Sequence, residues 1–410
     1  MNIKTLSFGC RLNALECEKI SKMLSSVIDT AVLVNTCSVT GEAERQCAQT
    51  VRRISRENPN VVIFVTGCGA TRNPGLFASI PNCFVIDNKD KMNLQVYIAA
   101  LQSTNMNVKN SKIDVFKDTE SKLSKKFVQV QNGCNHDCTY CVTRLLRGPN
   151  VSFSYEDILQ DVKSAIDKGF YEIVLTGVDT ASYLRIENGK PFLLADLCEK
   201  LLNDTPEIKH FRLSSIDPAS PEVPKIINLM KKDSRFMPHL HLSMQSGSDT
   251  ILKSMRRRHN SNKLRELISL ANKDINVTFS ADIICGFPGE TEDLFQETAQ
   301  MVKDMNLIHV HAFPYSPRPG TVAAQMPNQI NRSVSKQRVK IIDNIAKENL
   351  KQFMKQQIGK KVSVLVEEDN IGRTPDDINI RIIGKQIQNK TICDVKITDI
   401  ENNAFVGTVI

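Results

Sequence analysis

Residues Phe127–Cys141 read FVQVQNGCNHDCTYC. The first five are β-prone, and the pair Asn132-Gly133 closes the run as a turn, so the stretch reads as a strand feeding a loop. On that loop Cys134, Cys138 and Cys141 form a C-x3-C-x2-C run, three thiols that can meet at one centre without help from distant parts of the chain. Structural zinc is held by four protein ligands and a 4Fe-4S cluster usually by four cysteines, whereas the local supply here stops at three. If the centre is a cluster, one iron is left without a protein ligand, which marks a reactive site rather than an electron relay. Two other readings stand beside it. His136 could complete a Cys3His zinc site, or the three thiols could be unrelated core residues. Tyr140 reads equally as packing or as a contact to the centre.

Upstream, the chain repeats a pattern of strand followed by cysteine. Ile3 to Phe8 precedes Gly9-Cys10, Ala31 to Val34 precedes Asn35-Thr36-Cys37, and Val61 to Thr66 precedes Gly67-Cys68. Helical stretches such as Asn13 to Leu24 and Gly41 to Arg56 lie between them. Alternating strands and helices imply a parallel sheet, whose ligands bind outside the carboxyl ends of the strands. Cysteine spacings of 27 and 31 residues each correspond to one βαβ unit, so Cys10, Cys37 and Cys68 are expected to converge on a crevice as a second three-cysteine site. Three core cysteines that happen to end strands would give the same pattern. Cys17, Cys47, Cys83, Cys198, Cys285 and Cys393 lack such placement and are expected to pack in the core.

Downstream, Asn105 to Lys126 is polar and lysine-rich and reads as a linker. Six strand candidates follow: Phe127 to Gln131, Glu172 to Thr176, His210 to Ser214, His239 to Met244, Val277 to Cys285 and Leu307 to Phe313. Helical patterns separate them, including Tyr155 to Lys168, Pro191 to Asn203, residues 262–274 and Glu292 to Met305. Six βα units suggest an open or partial barrel with its chemistry at the strands' C-terminal ends. The segments there, TGVDTASY, SSIDP, QSGSD, CGFPGE and PYSPRPGT, are rich in glycine, hydroxyls and proline. Ser333 to Gln357 then reads as a basic helix with Val339, Ile342, Ala346, Leu350, Phe353 and Ile358 on one side. Val362 to Val366, Ile378 to Ile383, Thr391 to Thr398 and Ala404 to Val409 read as the short strands of a small β-barrel.

Length and composition fit two to four soluble domains: 410 residues, net charge +8, twelve cysteines and no apolar window long enough to span a bilayer. The N-terminus runs straight into a strand pattern without a secretory signal. A cytoplasmic, reducing compartment is therefore expected, with thiols kept for metals or catalysis. Charge placement matters more than its sum. Thr250 to Arg265 holds six basic residues and no acidic one, and Asn331 to Lys361 holds nine against two. Such stripes fit either a polyanion such as nucleic acid or a solvated helix face.

With its C-x3-C-x2-C loop on the first barrel strand, the preceding GC, NTC and TGC at Cys10, Cys37 and Cys68, and a terminal barrel similar to a TRAM module, the chain resembles the radical S-adenosylmethionine (SAM) methylthiotransferases over nearly its whole length. GCRLNALECE, HLHLSMQSGSDTILKSMRRRH and FPYSPRPGT look most like the branch acting on N6-threonylcarbamoyladenosine at position 37 of tRNA. Related branches act on isopentenyladenosine or on a ribosomal-protein side chain, and an RNA-binding protein with structural metal sites is the alternative of another class.

The resemblance implies an α/β protein: an N-terminal parallel-sheet domain (residues 1–105), a linker (106–125), a partial (β/α)6 core (126–345), and a helix end with a TRAM-like β-barrel (346–410). It implies two 4Fe-4S clusters, on Cys10, Cys37 and Cys68 and on Cys134, Cys138 and Cys141. It also implies two SAM molecules per turnover, one as methyl donor and one as radical source. Gly177, Asp179, Ser214, Gln245, Gly286 and Glu290 would contact SAM, and Arg256, Arg257 and Arg258 would meet tRNA phosphates. Implied partners are tRNA, an external one-electron donor and a sulfur source, with no membrane and no obligate oligomer. Two departures from the family pattern stand out. The Cys10 to Cys37 interval is short, and the terminal module from Lys355 carries eight basic and eight acidic residues, which leaves the Lys253 to Arg265 stripe and the basic helix as the better tRNA candidates.

Overall fold

The computed structural model describes residues 2–38, 40–103, 124–273 and 276–410. Most of the expected linker, and the end of the helix expected over residues 262–274, lie outside the described residues.

The first unit is a four-stranded parallel sheet of Asn2–Ser7, Thr30–Thr36, Val62–Gly67 and Cys83–Val85, paired in sequence order. Its middle strands are buried along their length, as near-continuous apolar runs in a parallel sheet should be. Alternation sends Val32, Val34, Ile63 and Val65 to one face, against Cys47, Val51 and Ile54 of the helix Gly41–Glu57. Ala31, Leu33, Val62 and Phe64 meet Cys17, Ile20 and Leu24 of the helix Arg11–Leu24 on the other. The Thr40 hydroxyl caps Gly41–Glu57 by accepting the Ala43 N–H at 3.2 Å, with Glu42 and Glu44 in the first turn where the helix dipole favours them.

The second unit carries the six expected parallel strands. Lys126–Gln129, Glu172–Thr176 and His210–Leu213 form one group; Ser215–Ile216, His239–Gln245, Thr278–Cys285 and His309–Pro314 form the next. Chain continuity from Leu213 to Ser215 and a bridge between Phe211 and Phe236 join the groups into one curved sheet. Helices Tyr155–Asp167, Leu194–Asp204, Glu222–Lys232, Ser261–Ala271 and Glu292–Asp304 lie between the strands in sequence, and their apolar faces enter its main core. One expectation is corrected. Pro191 does not begin a helix but lies in a hairpin of Leu184–Glu187 and Lys190–Leu193, turned by Asn188-Gly189 with both residues at positive φ. The helix starts at Leu194, after the Leu193 N–H has donated to Asp196 Oδ2 at 2.9 Å.

The 24-residue helix Arg332–Lys355 buries Ile342, Ala346 and Phe353; Ile358 lies beyond its end and is exposed, contrary to expectation. The chain finishes in a closed five-stranded barrel in which Ile371–Arg373, a strand absent from the sequence expectation, joins Lys361–Glu368, Asn379–Ile383, Ile392–Glu401 and Ala404–Val409. That barrel is fastened to the sheet of the core. Arg212 donates to the carbonyls of Thr374 (2.8 Å) and Pro375 (2.7 Å), and His210 Nε2 lies 2.8 Å from Ser363 Oγ. Among the described residues, no helix is long and apolar enough to cross a membrane.

Candidate active site

The C-terminal ends of both sheets open on one cavity of about 860 Å³. Cys10 stands at the N-cap of Arg11–Leu24, Cys37 follows the strand Thr30–Thr36, and Cys68 opens the short helix Cys68–Arg72. All three line this cavity, together with Cys141 of the C-x3-C-x2-C loop. The three strand-end cysteines thus border one cavity, although their sulfurs are not gathered within 4.8 Å of one another. Backbone shape makes room for them: Gly9 has φ +87°, and a Cβ there would sit 2.4 Å from Cys37 Sγ. Asn13 and Asn35 pin the loops. Asn13 Nδ2 donates to the carbonyls of Phe8 (2.8 Å) and Thr36 (3.1 Å), and Asn35 Nδ2 donates to Asn13 O and Glu16 Oε2, each at 3.1 Å.

Beneath these cysteines lies a buried charge group that sequence reasoning missed. Glu16 Oε1 is 2.8 Å from Arg147 Nη1, and its Oε2 is 2.5 Å from Lys91 Nζ. Burial alone would raise the Glu16 pKa, yet Arg147 and Lys91 together hold it below the usual range. Two buried cations against one carboxylate leave a positive balance next to Cys68. Burial pushes the Cys68 thiol up, and Arg147 and Lys91 pull it back. Burial likewise raises Cys141, and Cys134 is pushed up to about 11. Thiols of this kind give up their protons on binding metal, and cations set beside them suit the negative charge that thiolate-bound iron and sulfide would bring.

The loop itself is clamped to the core. Cys134 N–H donates to Gly148 O at 3.1 Å, Thr139 N–H to Met255 O at 3.1 Å, and Cys141 N–H to Cys138 O at 3.1 Å. His136 is held by Asp179. Its Nε2 is 2.6 Å from Asp179 Oδ2, and its ligand atom groups only with those of Cys134 and Asp179. Tyr140 packs edge-on to Phe287, with ring centroids 6.5 Å apart.

The arginine run divides. Arg256 and Arg258 are exposed and paired with Asp137 and Asp217. Arg257, expected beside them on a phosphate-facing surface, is instead turned inward with a side chain 7% exposed. It donates to Cys138 Sγ at 3.5 Å and Ser243 O at 2.7 Å, and pairs with Asp217 at 3.2 Å. Arg256 adopts φ +56°, which turns the chain between its neighbours and accounts for the change of side.

Of the residues expected at SAM, Gly177, Ser214 and Gln245 line the cavity. Gln245 has φ +68° and a buried Oε1 without a hydrogen-bond partner; the Tyr315 hydroxyl, also on the cavity wall, is buried and unpaired too. Two orphaned polar atoms on one wall suit a polar ligand. Asp179, Gly286 and Glu290 lie off the cavity wall. Glu290 is 1% exposed, accepts the Gly286 N–H at 2.6 Å and pairs with Arg338 at 2.8 Å, fixing the helix Arg332–Lys355 to the rim. The same cavity is also lined by His239, His241, Asp282, His309 and His311, none of which the sequence marked as a site.

The profile of the Radical SAM superfamily matches residues 128–302, and that of the uncharacterized protein family UPF0004 matches residues 2–87. The threonylcarbamoyladenosine tRNA methylthiotransferase MtaB of Rickettsia prowazekii is 39% identical over 92% of this chain and 90% of that protein. The protein of the same name from Thermotoga maritima is 31% identical over 89% of this chain and 86% of its own length. A tRNA-2-methylthio-N(6)-dimethylallyladenosine synthase of Francisella philomiragia is 30% identical over 100% of this chain and 98% of that protein. Among solved structures, the radical S-adenosylmethionine methyltransferase TsrM of Kitasatospora setae shares the fold at a TM-score of 0.55 with 13% identity, covering 74% of this chain and 68% of that one.

Proposed function

This chain belongs to the radical SAM methylthiotransferases of the threonylcarbamoyladenosine tRNA (MtaB) branch, and from that membership we propose that it converts N6-threonylcarbamoyladenosine at position 37 of tRNA to its 2-methylthio derivative. The observation that carries the proposal is the single cavity bordered by the strand-end cysteines Cys10, Cys37 and Cys68 and by Cys141 of the C-x3-C-x2-C loop. Membership implies a 4Fe-4S cluster and SAM. Cys134, Cys138 and Cys141 would hold that cluster, and Cys10, Cys37 and Cys68 a second. When bound, the two centres would supply, from two SAM molecules, a carbon-centred oxidant able to take hydrogen from an unactivated aromatic carbon and a methylated sulfur to replace it.

The protein's own residues provide position and charge. Gln245, Tyr315, Ser214 and Gly177 offer polar groups and close backbone approach on the wall beside the C-x3-C-x2-C loop. Arg257 places a cation on Cys138, and Arg147 with Lys91 places one beside Cys68, so each cysteine set has its own buried counter-charge. The cavity wall formed by the core strands favours the threonylcarbamoyl substituent over a dimethylallyl one. His241, Asp282, His311 and Arg373 in the cavity lining are polar or charged, which suits a group bearing a carboxylate and a hydroxyl. Exposed Arg256 and Arg258, with the basic face of Arg332–Lys355, are the proposed contacts to tRNA phosphates. A one-electron donor and a sulfur source complete the reaction. Cysteines without disulfides and a tRNA substrate support a cytoplasmic setting.

Two variants separate the roles of the cysteine sets. Cys134→Ala should abolish 5′-deoxyadenosine formation, whereas Cys37→Ala should keep SAM cleavage measurable and lose methylthiolation. Equal loss of both activities in both variants would refute the division of labour. Mass analysis of tRNA nucleosides after gene deletion should show loss of 2-methylthio-N6-threonylcarbamoyladenosine alone; loss of the isopentenyl analogue instead would move the substrate to the other tRNA branch.

A further inference from the structure

One group of metal-binding side chains faces the cavity apart from the cysteines. His241, Asp282 and His311 come from three adjacent parallel strands, with His241 opposite Ser280 and Asp282 opposite His311 in the ladder. All three line the cavity. Asp282 Oδ1 is 3.1 Å from His241 Nε2 and 3.4 Å from His311 Nδ1, and the three ligand atoms all lie within 4.8 Å of one another. Donor separations of this size match the edges of a coordination polyhedron whose metal–ligand bonds are about 2.1 Å long.

The supporting contacts match as well. His241 Nδ1 is 2.8 Å from Ser280 Oγ, which also lies 2.9 Å from His239 Nε2; His239 Nδ1 is in turn 2.8 Å from Thr278 Oγ1. A metal-bound imidazole is usually oriented in this way by a partner on its second nitrogen. The ion contacts of Asp282 among the described residues are the two imidazoles, with no lysine or arginine to neutralise it. Two imidazoles and one carboxylate on one side of an open space form the donor set of divalent first-row metals that keep free positions for oxygen ligands.

We propose that His241, Asp282 and His311 bind one divalent transition-metal ion, separate from the iron of the cysteine sets, with its remaining positions open to water or to an anionic oxygen ligand in the cavity. The alternative is a carboxylate that only hydrogen-bonds to two imidazoles.

The test uses the full chain with its cysteine sets loaded with iron and sulfide, so that thiols do not compete, and needs neither SAM nor tRNA. Mn²⁺ is titrated anaerobically and the free ion is read by electron paramagnetic resonance. One Mn²⁺ per chain should bind and be displaced by Zn²⁺, which lies higher in the affinity order. Asp282→Asn and His311→Gln should each weaken binding by about tenfold or more, while His309→Ala should not. Iron content and thermal melting serve as checks of folding, and His311, whose side chain is 71% exposed, can be replaced without disturbing the core. Absence of a stoichiometric Mn²⁺ site, or unchanged affinity in His311→Gln, would overturn the proposal. Failure here leaves the proposed tRNA reaction standing, since no substrate takes part in the measurement.

Discussion

Arg147 and Glu16 meet at 2.8 Å across the junction of the N-terminal sheet and the barrel, with side chains 3% and 0% exposed. Removing one partner of a buried ion pair leaves an uncompensated charge and costs about 3 kcal/mol or more. Lys91 remains on Glu16 at 2.5 Å, so the lower end of that range applies. Arg147→Met should therefore lower stability in urea by about 3 kcal/mol. It should also reduce the iron held at Cys10, Cys37 and Cys68 more than that held at the barrel loop, measured by iron content in Cys134→Ala and Cys37→Ala backgrounds.

Gly9→Ala combines a positive φ with a Cβ placed on the Cys37 sulfur. The expected result is a folded protein with about half the iron of the parent, because each 4Fe-4S cluster accounts for about four. SAM cleavage should persist. Full iron content in the variant would show that the Gly9 turn is not shaped around the Cys37 sulfur.

Arg257 bears on the other cysteine set. A cation that donates to a ligating sulfur stabilises the reduced cluster, so Arg257→Met should make the potential of the barrel-loop cluster more negative by on the order of tens of millivolts. Redox titration monitored by electron paramagnetic resonance reads this directly. Arg256→Met, which alters an exposed pair with Asp137, should leave the potential in place and weaken tRNA binding in a salt-dependent way.

His259 gives an acid-linked effect. Its side chain is fully buried, and burial lowers its pKa to about 4, with Arg257 acting in the same direction. The folded protein therefore resists the proton that the unfolded chain accepts near pH 6.5. Stability present above pH 6.5 is lost as pH falls toward 4, by about 1 kcal/mol between pH 7 and 5.5. Comparing urea unfolding of the parent and His259→Gln at those two pH values should show a steeper loss in the parent.

Much of the fold is legible because strands and cysteines obey short-range rules. Apolar runs ended by glycine or asparagine mark the strands of both parallel sheets, and a cysteine at three strand ends follows from βαβ geometry. The hairpin at Asn188-Gly189 has a turn signal of its own, but the helical spacing of the Pro191 to Asn203 stretch extends up to it and hides the second strand. Other features depend on contacts that no local pattern encodes. Arg147 and Glu16 are 131 residues apart, and the His241, Asp282 and His311 group exists only once three strands are in register. Arg257 reads as one of three equal arginines until the backbone at Arg256 turns it inward. Glu290 sits in a rim segment and yet serves the packing of a helix that begins forty-two residues later, through Arg338.

Arg373 and Asp377 of the terminal barrel line the same cavity as the cysteines, and Arg212 holds that loop through the carbonyls of Thr374 and Pro375. The terminal module is thus a wall of the reaction chamber as well as an appendage to it. A chain cut before Lys361 would leave the chamber unsealed where the core strands begin, admitting water to chemistry that needs its exclusion. For the same reason the module of this chain is not an exchangeable handle: a transplant would have to bring a loop that fits Arg212.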